Sequence, residues 1–144
     1  MSRIAVDVVL LPDEIMTDRA IEINAQLVRK FGSKIVLNKE NCLPHISLAM
    51  GCLDEAEIIS VEKVLGEIGK ETSLPDLKVV GIRASENSKG QTVSVFEVEK
   101  TKELQSLHEE VMNKLTSYLS TDVTEDMVYG DQTVAESTLL WIKN

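Results

Sequence analysis

At 144 residues, 43% apolar and 27% charged, the chain has the size and make-up of one globular domain, residues 1–144, that buries a core of its own. Aromatic residues supply only 3%, so that core is aliphatic. A net charge of −9 excludes holding nucleic acid by broad phosphate neutralisation, which needs a basic face, but leaves room for a small pocket that takes one phosphate.

The first strand is expected over Ile4 to Leu11, a β-branched run with Asp7 as its one charged member. Pro12-Asp13 ends it and opens a helix, with Asp13 and Glu14 where the helix dipole favours acid. Ile15, Arg19/Ala20, Ile23, Leu27 and Phe31 recur at helical spacing, and Gly32 stops the run. Lys34 to Asn38 reads as a short strand, and the polar turn Asn38-Lys39-Glu40-Asn41 leads into a further strand that ends near Leu53.

Asp54 is placed as an N-cap, with Glu57 as its capping-box partner, for a helix carrying Ile58, Val61, Val64/Leu65 and Ile68. Leu74-Pro75 breaks the chain, and Leu77–Ala84 and Thr92–Val98 read as strands joined by the turn Glu86–Gly90. Apolar residues in the second of these depart from strict alternation, so both of its faces are expected to be covered. Thr101 caps a long helix with Leu104, Leu107/His108, Val111, Leu115 and Tyr118/Leu119 on one side. A weak strand is expected at Met127-Val128-Tyr129, and Ala135, Leu139 and Ile142 recur at helical spacing. The order is β-α-β-β-α-β-β-α-(β)-α, an α+β class with mostly antiparallel sheets and packed helices. A strand followed by a long helix occurs twice, so a second strand like the one through residue 45 is expected late in the chain.

Cys42 and Cys52 would lie ~30 Å apart at the ends of one straight strand, beyond disulfide reach, so both are read as reduced thiols. Two cysteines and two histidines without paired spacing do not make a zinc site, and neither a metal nor another cofactor is expected. No signal pattern opens the chain and no apolar run approaches ~20 residues, which reads as a cytoplasmic protein without a membrane partner. Glycines show no phosphate-loop spacing, and there is no Gly-x-Ser-x-Gly elbow.

The polar pair that stands out is His45 and Ser47 in Leu43-Pro44-His45-Ile46-Ser47-Leu48. Side chains alternate along a strand, so these two share a face while Ile46 and Leu48 take the other. Pro44 suits a strand's first residue or an edge. The plain reading is a structural pair satisfying local backbone groups in some other α+β domain. The functional reading sets an imidazole, which as a side-chain type titrates near neutrality, beside a hydroxyl able to donate to a phosphate oxygen.

On Pro44-His45-Ile46-Ser47-Leu48 and the surrounding element order, the chain resembles the two-histidine (2H) phosphoesterase superfamily, which includes the RNA 2′,3′-cyclic phosphodiesterases also called 2′-5′ RNA ligases. The family signature is a pair of His-x-Thr/Ser motifs in apolar strands, and the element order extends the likeness over most of the chain. The resemblance implies a pseudo-symmetric two-lobed fold and a metal-independent hydrolase for a nucleotide or RNA end carrying a 2′,3′-cyclic phosphate or 2′-5′ linkage. One imidazole would take a proton from water while the other gives one to the leaving ribose oxygen, and hydroxyls would hold the phosphate. His45 would be one of these imidazoles and Ser47 a phosphate ligand.

A second His-x-Thr/Ser is missing from the sequence. The other histidine, His108, falls mid-helix and reads as a partly exposed residue without a catalytic part. Two explanations stay open. Either the chain stops before the strand with the second motif, leaving the second lobe incomplete, or Glu136-Ser137-Thr138-Leu139 is a degenerate copy with Glu136 where histidine belongs. The helical spacing of Ala135, Leu139 and Ile142 favours the first. A non-catalytic phosphate-binding domain of the same fold is the alternative function. Arg3 and Arg83, near strand ends, are secondary candidates to face a phosphate, and Asp7 would orient His45 if their strands are neighbours.

Overall fold

Among the described residues, apolar strands and amphipathic helices form an α+β structure whose named elements are two small antiparallel sheets and three helices. The computed structural model describes residues 2–32, 35–86, 90–129, 139 and 142. Strand β1 (Arg3–Leu10) pairs with β2 (Ile46–Asp54), and β3 (Val79–Glu86) pairs with β4 (Thr92–Val98). The helices are α1 (Glu14–Phe31), α2 (Ile58–Glu71) and α3 (Lys102–Leu115). The chain divides into two compact units, Val8–Leu48 and the pair of segments Met1–Asp7 and Ala49–Asn144.

In the first unit, α1 starts where the Asp13 carboxylate accepts the Met16 amide at 2.7 Å. It ends at Gly32, whose φ of 64° is the left-handed conformation that glycine adopts without strain and whose amide bonds Val28. Ala20 is its buried residue, whereas Ile15 and Phe31 are 81% and 71% exposed although both lie on the expected apolar stripe. They occupy the first and last turns of the helix.

The strand expected over Lys34–Asn38 does not form in its described part. Residues 35–38 are irregular, and a side chain takes the place of a neighbouring strand. Asn24 on α1 donates through Nδ2 to the Ile35 carbonyl at 3.0 Å and accepts the Leu37 amide through Oδ1 at 2.9 Å. One carboxamide thus matches the donor–acceptor pair of a strand edge, and Ile35 and Val36 stay exposed. The expected polar turn does form: Asn38 Oδ1 accepts the amides of Glu40 and Asn41, and the Asn38 amide bonds the Cys42 carbonyl. Lys39 reaches back to α1, 2.6 Å from Asp18 with Glu14 at 4.0 Å. The hydrogen bond to the Asp18 carboxylate, with its charge, holds the Lys39 ammonium above the ordinary lysine range. Since folding raises that value, the contribution is complete below the ordinary lysine range and is lost as pH climbs through the raised one; for so exposed a pair it is small.

The second unit holds most of the core. Ala49, Cys52 and Leu53 of β2, Val61 and Ile68 of α2, Leu107, Val111 and Leu115 of α3, and Val123 are all buried. The spacings of seven on α2 and four on α3 put these residues on the facing stripes of two packed helices. Asp54 caps a 3-10 turn at Glu55–Glu57 by accepting the Ala56 amide, and α2 follows directly. Thr101 caps α3 through the Leu104 amide. Past Leu115 the chain tightens into a turn rather than continuing as helix to Leu119, and Ser120 then pairs with Cys52 through backbone bonds of 2.8 and 2.9 Å. Gly51 makes this approach possible, because a Cβ there would stand 2.8 Å from the Ser120 carbonyl oxygen.

Strands β3 and β4 form an antiparallel hairpin with Ile82 opposite Phe96 and Arg83 opposite Val95, its register shifting between Val79 and Gly81, and Gly90 takes a φ of 73°. The expected cover on both faces of β4 forms only in part: Val93, Phe96 and Val98 are half-buried and Val95 is exposed, while Val80 and Ile82 of β3 are exposed, Ile82 by 61%. A two-stranded sheet lacks the further strands that would bury alternate residues. The strand expected at Met127–Tyr129 is replaced by a 3-10 turn at Glu125–Met127, in which the Met127 and Val128 amides bond carbonyls three residues back. Leu139 and Ile142 are helical, as their spacing implies, while Ala135 and the segment 136–138 lie outside the described residues, as do the hairpin turn residues 87–89. Among the described residues no strand follows β4, and no helix is long and apolar enough to cross a membrane. Cys42 and Cys52 are both free, with Cys52 fully buried inside β2 rather than at its end.

Two substitutions test these arrangements. Gly51→Ala should force Ser120 away from Cys52 and cost about 1–3 kcal/mol, seen as a lower denaturant midpoint; an unchanged midpoint contradicts the close packing. Asn24→Ala should leave the Leu37 amide without its acceptor and speed its hydrogen exchange by about tenfold, the equivalent of about one lost hydrogen bond, with α1 itself intact.

Candidate functional site

The His45–Ser47 segment is delivered by the Asn38 turn, where Asn38 and Asn41 lock the chain reversal and Cys42 closes it. Leu43 and Pro44 follow as extended, irregular chain, so β2 begins at Ile46, two residues past the proline. A proline at that point restricts its own φ to about −65° and biases the residue before it toward extended geometry. His45 therefore stands immediately before the strand and Ser47 is its second residue. Both are exposed, Ile46 between them is half-buried and Leu48 is buried. This is the two-residue alternation expected of a strand with one covered side. It ends at Ala49: along Ala49–Leu53 every residue but Met50 is buried.

The histidine ring is held by its own backbone. Nδ1 of His45 lies 2.7 Å from the Leu43 carbonyl oxygen. A carbonyl only accepts, so in this bond Nδ1 carries the hydrogen and donates. In the neutral ring the lone pair is then on Nε2, which becomes the atom able to take a proton. The arrangement is a backbone-fixed tautomer two residues before an exposed serine. Chemically it can accept a proton at Nε2, return it, and donate a hydrogen bond from Ser47 to an oxyanion.

The other sequence candidates are placed differently. Asp7 is an exposed residue in the middle of β1, and β1 is the sheet neighbour of β2. Arg3 opens β1, and Arg83 lies in β3 opposite Val95; both are exposed, and both belong to the unit containing Ala49–Asn144, whereas His45 and Ser47 belong to Val8–Leu48. His108 is half-buried in α3, one residue after the buried Leu107, as its helical position implies. The segment 136–138, with the degenerate-motif candidate Glu136, lies outside the described residues. Among the described residues no three His, Cys, Asp or Glu side chains converge into a metal-binding group.

Two features were not legible in the sequence. The contact between Leu43 and His45 depends on the backbone path through Pro44, which no side-chain spacing reports. An open groove of about 430 Å³ at the start of α3, lined by Lys100, Thr101, Lys102, Gln105 and Ser106, has as its only sequence signal two lysines flanking a capping threonine. No family model, no curated protein and no solved structure matches the chain.

The tautomer is directly measurable. Nitrogen-15 spectra of the neutral His45 ring should show Nδ1 protonated and Nε2 carrying the lone pair. A ring protonated at Nε2 instead would contradict the Leu43 contact and remove the proton-accepting atom from its assigned place.

Proposed function

We propose that this chain is a 2H-type phosphoesterase domain that acts on a 2′,3′-cyclic phosphate or a 2′-5′ linked nucleotide. The observation that supports it is the exposed His45–Ser47 pair at the start of β2, with the His45 ring oriented through Nδ1 by the Leu43 carbonyl. Supporting it more broadly are the α+β class, the antiparallel pairing and the β-α-β order leading to the motif.

In this reading a non-bridging phosphate oxygen accepts a hydrogen bond from the Ser47 hydroxyl. His45 Nε2 takes the proton from a water as its oxygen attacks phosphorus. The P–O bond to one ribose oxygen then breaks, and that oxygen needs a proton as it leaves. By the resemblance a second imidazole gives that proton, and at the end of the cycle the two imidazoles have exchanged roles.

The second reading is a non-catalytic phosphate-binding domain on the same scaffold. What favours it is the half-buried, mid-helix position of His108, the other histidine of the sequence. Such a domain keeps the anion contact of Ser47 and His45 without the proton relay.

Hydrolysis of a nucleoside 2′,3′-cyclic phosphate by the full natural chain separates the two. Under the catalytic reading His45→Ala lowers the rate by about 100-fold or more, the usual size of a general acid–base contribution. Ser47→Ala lowers it by about tenfold, the loss of one hydrogen bond to a charged group. Equal rates for wild type and His45→Ala would overturn the catalytic role. No hydrolysis by either, with binding of a nucleoside 2′-phosphate that His45→Ala weakens, would establish the second reading.

A further inference from the structure

We draw no further inference here: the strongest candidate, the exposed apolar strip of Val79, Val80 and Ile82 along β3 of the β3–β4 hairpin, is an unpartnered sheet surface, and nothing in the structure shows what covers it.

Discussion

The backbone pairing of Cys52 with Ser120 is the constraint on which the larger unit depends. Two hydrogen bonds of 2.8 and 2.9 Å tie the chain just past α3 to the second half of β2. They form only because Gly51 presents no Cβ to the Ser120 carbonyl. With that seam closed, Cys52 and Leu53 are buried, as are Leu115 at the end of α3 and Val123 just beyond the seam. Full burial of an aliphatic side chain of this size is worth about 1.5–3 kcal/mol, so displacing the seam puts several such contributions at risk together.

Strand β2 therefore has two characters along one length. Its second half is covered on both sides, while its first residues, with His45 just before them, alternate between one exposed and one covered side. The polar pair stands at the start, where the strand still has an open side. In the Val8–Leu48 unit the approach to that start is ordered by side-chain amides rather than by a sheet. Asn24 holds the 35–37 segment, and Asn38 and Asn41 hold the turn that ends at Cys42. The chain thus enters Leu43-Pro44-His45 from a fixed geometry, and the Leu43 carbonyl meets the imidazole.

Helix positions and the β3–β4 hairpin were legible because their signals are local: a capping Asp13 or Thr101, a terminating Gly32, and β-branched runs on either side of a turn. The expected strand at 34–38 failed for a physical reason. Strand propensity in Ile35 and Val36 states that a residue fits a pleated surface, but a strand needs a partner, and here Asn24, eleven residues earlier, satisfies the backbone instead. Helical spacing likewise located the α1 stripe without revealing that its end residues, Ile15 and Phe31, remain exposed. For the site, the two-residue period matches the exposure along the segment, with His45 and Ser47 exposed, Ile46 half-buried and Leu48 buried. Which ring nitrogen accepts a proton was not legible, because it is decided by a backbone oxygen two residues away. A second histidine motif is not written in this chain, and it is the missing half of the chemistry the resemblance implies.

The central claim is that His45 and Ser47 together form a phosphate-binding surface. Its most direct measurement is a titration of isotope-labelled protein with a nucleoside 2′-monophosphate, following the His45 ring, the Ser47 amide and, as an internal control, the His108 ring. The account predicts saturable shifts at His45 and Ser47 that Ser47→Ala weakens, with the His108 ring unmoved. Resonances of His45 and Ser47 that stay in place at millimolar ligand would contradict it and leave the pair as a structural feature of the strand's entrance.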